Sequence, residues 1–370
     1  MPDQTTARHG ASGFLTQLWT VVKWGLLATV VSVALLIGLL RLTTARPIRT
    51  VSVEGMPIES LAFLGDSHTV MVSDGLGKAM QLDLATGENS TQELAPRVRN
   101  SQFVPLADGR LLVGVGKSLR QGSSPWTTWS ELLGTQFEVW AIDATPDGSS
   151  VAIGLSEYEF GLNDHKKSGQ LLHWNPGQQA PPSLLREFDS PVVSVAMSPD
   201  ASWIACAVLY SNTLHLVRVD DPEQSLEFNI PPQQLCFTPD GAHLCIAGST
   251  VGCLLPMDNV NSETPLQVLH KYVPGSGVDI GACACSSDGR LVAFAGVAGE
   301  PYSYRSLAVA EVYDIQTGKL VFACVGNPAT DLRWKHMCYS SVVFSPDATS
   351  LIAGSLRGEI QEWKLPESVQ

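Results

Sequence analysis

The sequence predicts an all-β chain: a seven-bladed β-propeller at residues 49–370, preceded by one transmembrane α-helix at 17–41. Three observations carry that expectation. A short apolar hairpin with an aspartate in its turn returns seven times along the chain. No helical apolar period is visible beyond the first fifty residues. A charge-free apolar run stands ahead of the first hairpin, closed by an arginine.

The apolar run is the first element. From Trp24 to Leu40 the chain reads WGLLATVVSVALLIGLL, and Arg41 ends it. About 20 apolar residues span the hydrocarbon core of a bilayer. Extending the run back through Phe14–Val22 includes Lys23, whose ammonium can snorkel to the headgroups. Trp19 and Trp24 sit where interfacial aromatics are expected. The resulting plan is a tail at 1–16, a span at 17–41 and a linker at 42–48. A cleaved signal peptide competes, with a cut after Ala45, but Arg46-Pro47 would follow that cut and the run is long for such a leader. An uncleaved anchor is preferred. For orientation, Arg8 and Lys23 flank one side, and Arg41, Arg46 and Arg49 the other, which leans the propeller toward the cytoplasm.

Charge and cysteine content bound the remainder. Of 23 basic and 36 acidic residues, only Arg8, Lys23, Arg41, Arg46 and Asp3 precede residue 49, so 49–370 carries a net charge of −16. Such a domain is no general nucleic-acid binder, because phosphate contacts require clustered Lys and Arg. It favours basic protein surfaces instead. All eight cysteines lie between Cys206 and Cys338, mostly in apolar strand-like runs. That pattern fits reduced core thiols better than a disulfide framework. One bridge stays open: a hairpin centred on Asp240-Gly241 sets Cys236 opposite Cys245.

The hairpins follow in order: LAFLGDSHTVMVS from Leu61, FVPLADGRLLVGV from Phe103, IDATPDGSSVAIGL from Ile142 and VAMSPDASWIACAV from Val195. LCFTPDGAHLCIAG begins at Leu235, CACSSDGRLVAFAG at Cys283 and VVFSPDATSLIAGS at Val342. Their turn aspartates are Asp66, Asp108, Asp147, Asp200, Asp240, Asp288 and Asp347. Proline presets φ in such a turn, aspartate bonds its own backbone, and glycine takes the left-handed position. A third strand is legible in several units, as in KAMQLDLATGE (78–88), GQLLHWNPGQQ (169–179), AVAEVYDIQTGK (308–319) and GEIQEWKLPE (358–367). A β-sandwich would not repeat one hairpin seven times, and a solenoid would need polar capping repeats.

These hairpins, AEVYDIQTGK and the count of seven resemble the WD40 family of seven-bladed propellers, over about 49–370. The match is degenerate: no Gly-His opens a unit and no Trp-Asp closes one. Trp174, Tyr313 and Trp363 stand near the position of the family's tryptophan, and only Tyr313 is followed by aspartate. The family's Asp-His-Ser/Thr-Trp network therefore does not transfer. Ring closure completes the expectation. The last unit stops one strand short, and an orphan strand at 48–53 (IRTVSV) supplies the missing one. That seam sets one face of the disc close to the bilayer.

Candidate chemistry is sparse. GVGKS at 114–118 suggests a phosphate loop, but the glycine required four intervening residues earlier is Leu111. Cys283-Ala284-Cys285 puts two thiols on one face of a strand without a recognisable partner motif, so it reads as core packing and no metal or other cofactor is expected. The histidines show no paired spacing. No catalytic residue is assigned. Insertions at 120–135, 157–167 and 297–305 are more informative, because long loops on a rigid repeat carry binding residues. Trp126, Trp129, Tyr158, Phe160, Tyr302, Tyr304 and Arg305 have the character of contact hot spots there. The expected protein is a membrane-anchored, non-enzymatic interaction scaffold, held to lipid through 17–41 and bound to an unidentified protein partner. The alternative is a propeller enzyme, or a small-ligand or metal binder, that uses its central channel.

Overall fold

The computed structural model describes residues 45–370, apart from 54–56, 67, 75–76, 95–101, 125, 127, 159–166, 179, 249–250, 272–278, 299–306, 327–338 and 368–370. At 92–93, 158, 167, 271, 279–280, 298 and 307 the backbone alone is described. The apolar segment 17–41 lies outside the described residues, as does Cys338. Among the described residues no helix is long and apolar enough to cross a membrane.

Each repeated hairpin forms the inner two strands of an antiparallel four-stranded sheet, and seven such sheets make a β-propeller. Blades 1 to 6 occupy 58–93, 103–134, 138–188, 192–229, 232–271 and 279–325, each running from its inner strand outward. Blade 7 takes three strands from 339–364 and its outer strand from Arg49–Ser52. There Thr50 lies opposite Gln361 and Ser52 opposite Glu359, and Val53 N donates to Gly358 O at 2.7 Å. The chain's first strand therefore completes its last sheet, which is how a propeller avoids a loose edge.

The turns explain why the hairpins form. In all seven, the aspartate Oδ1 accepts the backbone amide two residues on, at 2.9–3.1 Å. In blades 3 to 7 the Ser or Thr two residues before it donates its hydroxyl to the same carboxylate at 2.5–2.7 Å. That hydroxyl also accepts an amide from the start of the second strand at 2.9–3.1 Å. The circuit satisfies turn groups that would otherwise face a half-buried interface unpaired. Gly109, Gly148, Gly241 and Gly289 follow the aspartate at φ of 69–81°, whereas blades 4 and 7 hold Ala201 and Ala348 there at φ of 59° and 54°.

Between blades the core is an apolar layer. Val192 and Val195 of blade 4 join Ala152, Leu171 and Ala141 of blade 3, and Ile58 of blade 1 packs with Ile352 of blade 7. Burying a side chain of this size contributes roughly 1.5–3 kcal/mol. All three expected insertions shorten in the structure because strand extends into them. The segment 120–135 is mostly the strand pair Ser118–Gly122 and Trp129–Gly134, leaving a loop at 123–128. Blades 3 and 6 extend their second and third strands to eight residues each, Val151–Tyr158 with Lys167–Trp174 and Leu291–Ala298 with Leu307–Asp314.

Candidate functional site

Six inner strands carry a register shift near their start, in blades 1 and 3 to 7, around Glu59, Trp140, Val193, Gln233, Gly281 and Ser340. A bulge re-aims the side chain it carries. These six residues and Gln102 of blade 2 line a cavity of about 180 Å³. One contribution from every blade puts that cavity on the ring axis. Beside Val193 and Gly281, its described lining is amides, hydroxyls, one indole and a single carboxylate, Glu59.

Residues beside the bulges hold neighbouring blades together. Phe103 N donates to Ser60 Oγ at 3.2 Å, Ile142 N to Gln102 Oε1 at 3.2 Å and Leu235 N to Ser194 Oγ at 3.2 Å. Cys283 N donates to Gln234 Oε1 at 2.8 Å, and Ser340 Oγ donates to Ile58 O. In blade 3 the equivalent position is Ala141, which has no acceptor. Asp143, two residues on, replaces it and accepts Met197 N at 2.8 Å and Ala144 N at 2.9 Å. Burial pushes the Asp143 carboxyl up to about 7, against the two amides that favour its ionised form.

Antiparallel order divides the loops between two faces. The aspartate turns and the loops from third to outer strand share one face; the loops from second to third strand share the other. The Trp126 loop opens on the aspartate-turn face. The strand ends Tyr158, Lys167, Ala298 and Leu307 lie at the opposite face. Trp126 is buried at φ 63°, packed with Phe103, Leu111 and Val113. Its ring centroid lies 6.3 Å from that of half-buried Trp129, which is 6.2 Å from Phe103. The two tryptophans thus cover the edge between blades 1 and 2. Beside them Leu64, Asp66, Asp108, Arg110 and Trp126 line a cavity of about 450 Å³. Phe160, Tyr302, Tyr304 and Arg305 lie outside the described residues, and of Tyr158 only the backbone is described. GVGKS is a strand end, a turn with Gly116 at φ 56°, and the start of the next strand, as the sequence indicates.

Thiols gather where the sequence showed no partner for Cys283 and Cys285. Cys236 and Cys245 do pair across their hairpin, yet both are free thiols. Blade 6 brings its inner strand Asp279–Cys285 against them. Cys236 Sγ lies 3.7 Å from Cys283 Sγ and 3.5 Å from Cys285 Sγ, while Cys245 Sγ is 3.1 Å from Cys285 Sγ. The sulfurs of Cys236, Cys245 and Cys285 all lie within 4.8 Å of one another. Hydrogen bonds from Cys245, Cys283 and Cys285 draw Cys236 well below the usual thiol range, whereas burial pushes isolated Cys206 and Cys253 up to about 12. Packing remains part of their role, since Cys245 and Cys283 join Leu254 and Phe294 in an apolar cluster. Register relative to the turn aspartates was the available signal: Cys236 precedes Asp240 by four residues, and Cys283 and Cys285 bracket the matching position before Asp288.

No protein-family description matches the chain, and no curated protein matches it. Among solved structures it is similar to the Cps50 (Swd1) β-propeller domain of Myceliophteria thermophila, with a TM-score of 0.63 and 13% identity. That likeness covers 87% of this chain and 99% of the other. It shows the fold, a β-propeller.

Proposed function

We propose that this chain is a membrane-anchored, non-enzymatic propeller that serves as a protein-interaction scaffold. The observation that carries the reading is the pair of extended hairpins in blades 3 and 6. Their pairing continues to Tyr158 with Lys167 and to Ala298 with Leu307, where most other strands have four to six residues. Two extra residues at about 3.3 Å each raise such a hairpin by roughly 7 Å. Blades 3 and 6 stand apart in the ring, so two ridges rise from one face.

Chain connectivity supports a division of labour between the faces. Arg49 pairs with Glu362 near the end of its blade that bears the aspartate turns, so the chain enters the ring on that face. The two ridges rise from the opposite face. The ridges then meet the partner, with Tyr158, Phe160, Tyr302, Tyr304 and Arg305 as contact residues and a basic surface opposite the acidic domain. The seven free thiols among the described residues and the arginines after the span support a cytoplasmic propeller. For chemistry in the channel, the described lining offers one carboxylate and no facing acid or base.

Proximity labelling of the full chain in its native membrane tests the proposal. A defined partner set that is lost when 159–166 and 299–306 are replaced by short Gly-Ser linkers supports it. Labelling that is unchanged by those replacements, or turnover of a small molecule lost on Glu59→Gln, overturns it. Protease protection of intact cells decides the side: digestion of 49–370 from outside contradicts the cytoplasmic placement.

A further inference from the structure

The seam between blades 5 and 6 holds four thiols from three strands, and we propose that it is a binding site for one thiolate-seeking d10 metal ion, with zinc as its representative. Cys236, Cys245 and Cys285 are the first three ligands and Cys283 is the fourth. This inference is independent of the scaffold reading.

The geometry is close to what the ion requires. Zinc–sulfur bonds of about 2.3 Å in a tetrahedron put sulfurs about 3.8 Å apart. Cys236, Cys245 and Cys285 already cluster within 4.8 Å, with Cys285 at 3.5 and 3.1 Å from the other two. Cys283, 3.7 Å from Cys236 but outside that cluster, completes the set by turning its thiol toward them. The ligands come from rigid elements rather than loops. Cys236 and Cys245 are fixed opposite each other by the blade 5 hairpin, and Cys283 and Cys285 share one face of the blade 6 inner strand. The strands are held in register by Gln234, whose side chain accepts the Cys283 amide at 2.8 Å. Such outer partners hold metal ligands in place. Access is built in as well: Cys236 and Cys285 are half-buried, while Cys245 and Cys283 are buried.

Thiol packing alone accounts less well for the arrangement. Cys206, Cys253 and Cys324 satisfy the core one at a time, with no sulfur partner among the described residues. Among the described residues, only at this seam do the sulfurs meet. Four thiols and no acid, amide or imidazole ligand select soft or borderline cations over magnesium or calcium. Binding exchanges the thiol protons for the ion and releases them to solvent. The ion would tie blade 5 to blade 6 by bonds that cross the blade boundary.

The test uses the full chain, purified in detergent under reducing conditions, stripped with a chelator and titrated with Zn²⁺ or Co²⁺. The expected result is about one ion per chain, a thiolate-to-cobalt charge-transfer band with strong visible bands of tetrahedral cobalt, and a higher Tm with zinc. Cys285→Ala should remove the charge-transfer band or weaken zinc binding more than tenfold, and Gln234→Ala should weaken it 10–100-fold. Cys206→Ala should leave both unchanged. The wild-type cobalt spectrum requires no variant, so a misfolded Cys285→Ala leaves the test intact. Absence of stoichiometric metal, a cobalt spectrum without thiolate bands, or a Cys236–Cys245 disulfide formed in preference to metal binding overturns the proposal.

Discussion

Val192 of blade 4 packs so tightly on Gly154 of blade 3 that a Cβ on that glycine would stand 2.7 Å from Val192 Cγ1. The same contact recurs elsewhere in the ring. Gly114 in the second strand of blade 2 meets Val139 of blade 3, and Gly354 of blade 7 meets Ile58 of blade 1. In each case the β-branched residue lies just before the bulge that aims a side chain at the axis. Blade spacing and channel lining are thus set by one contact.

Gly154→Ala should therefore overpack the boundary between blades 3 and 4. The expected loss is about 1–3 kcal/mol by urea denaturation. Gly177→Ala is the control, because its Cβ meets nothing within 4 Å. Equal effects at the two sites would contradict the packing argument.

Ala201 occupies the left-handed turn position where other blades place glycine. That conformation costs an L-residue roughly 1–2 kcal/mol, and glycine returns about 0.5–1 kcal/mol of it as chain entropy. Ala201→Gly should raise stability by about 0.5–1 kcal/mol. A drop in the denaturation midpoint would show that the turn gains more from the methyl group than it loses to strain.

The turn aspartates predict an acid limb of stability. The Ser149 amide, then the Thr145 and Ser149 hydroxyls, hold Asp147 down at about 2. The Arg110 amide and the Thr238 hydroxyl head the groups that lower Asp108 and Asp240. Folded values below the unfolded ones stabilise the protein above about pH 4, and that contribution disappears as pH falls toward 2. Asp147→Asn should flatten this limb in melts from pH 5 to pH 2.

Asp143 predicts a slope of the opposite sign. Its carboxyl, raised by burial to about 7, binds a proton in the folded state that the unfolded chain releases near pH 4. Its contribution is greatest below about pH 4 and declines as pH rises to about 7. Asp143→Asn should remove that decline. Asp143→Ala should cost about 1–3 kcal/mol, because the Met197 amide loses its acceptor. A pH profile from 4 to 7 identical in wild type and Asp143→Asn would contradict the shift.

Much of the ring is legible in sequence because its signals are local. An Asx turn is encoded within five residues, so all seven hairpins stand out in order. The strand at 48–53 stands out because the last unit lacks a partner strand. What resists reading depends on contacts across blade boundaries. Cys236 and Cys285 are 49 residues apart and meet only because successive inner strands abut. The insertion ending at Thr135 resembles a loop because its strand Trp129–Gly134, at an outer edge, buries no residue fully and lacks an apolar alternation. Trp126 carries the composition of a contact residue, yet the gap between blades 1 and 2 takes its side chain into the core.

The most direct test of a ring closed by the strand Arg49–Ser52 is a covalent bridge across the seam. Val53 donates to Gly358, so Ser52 and Glu359 form a non-hydrogen-bonded pair, the closer kind for side chains. The double variant Ser52→Cys/Glu359→Cys should form an intramolecular 52–359 disulfide under mild oxidation, found by peptide mapping, and should unfold at higher denaturant than its reduced form. No such bridge, or one that links only separate chains, would contradict the closed seven-bladed ring.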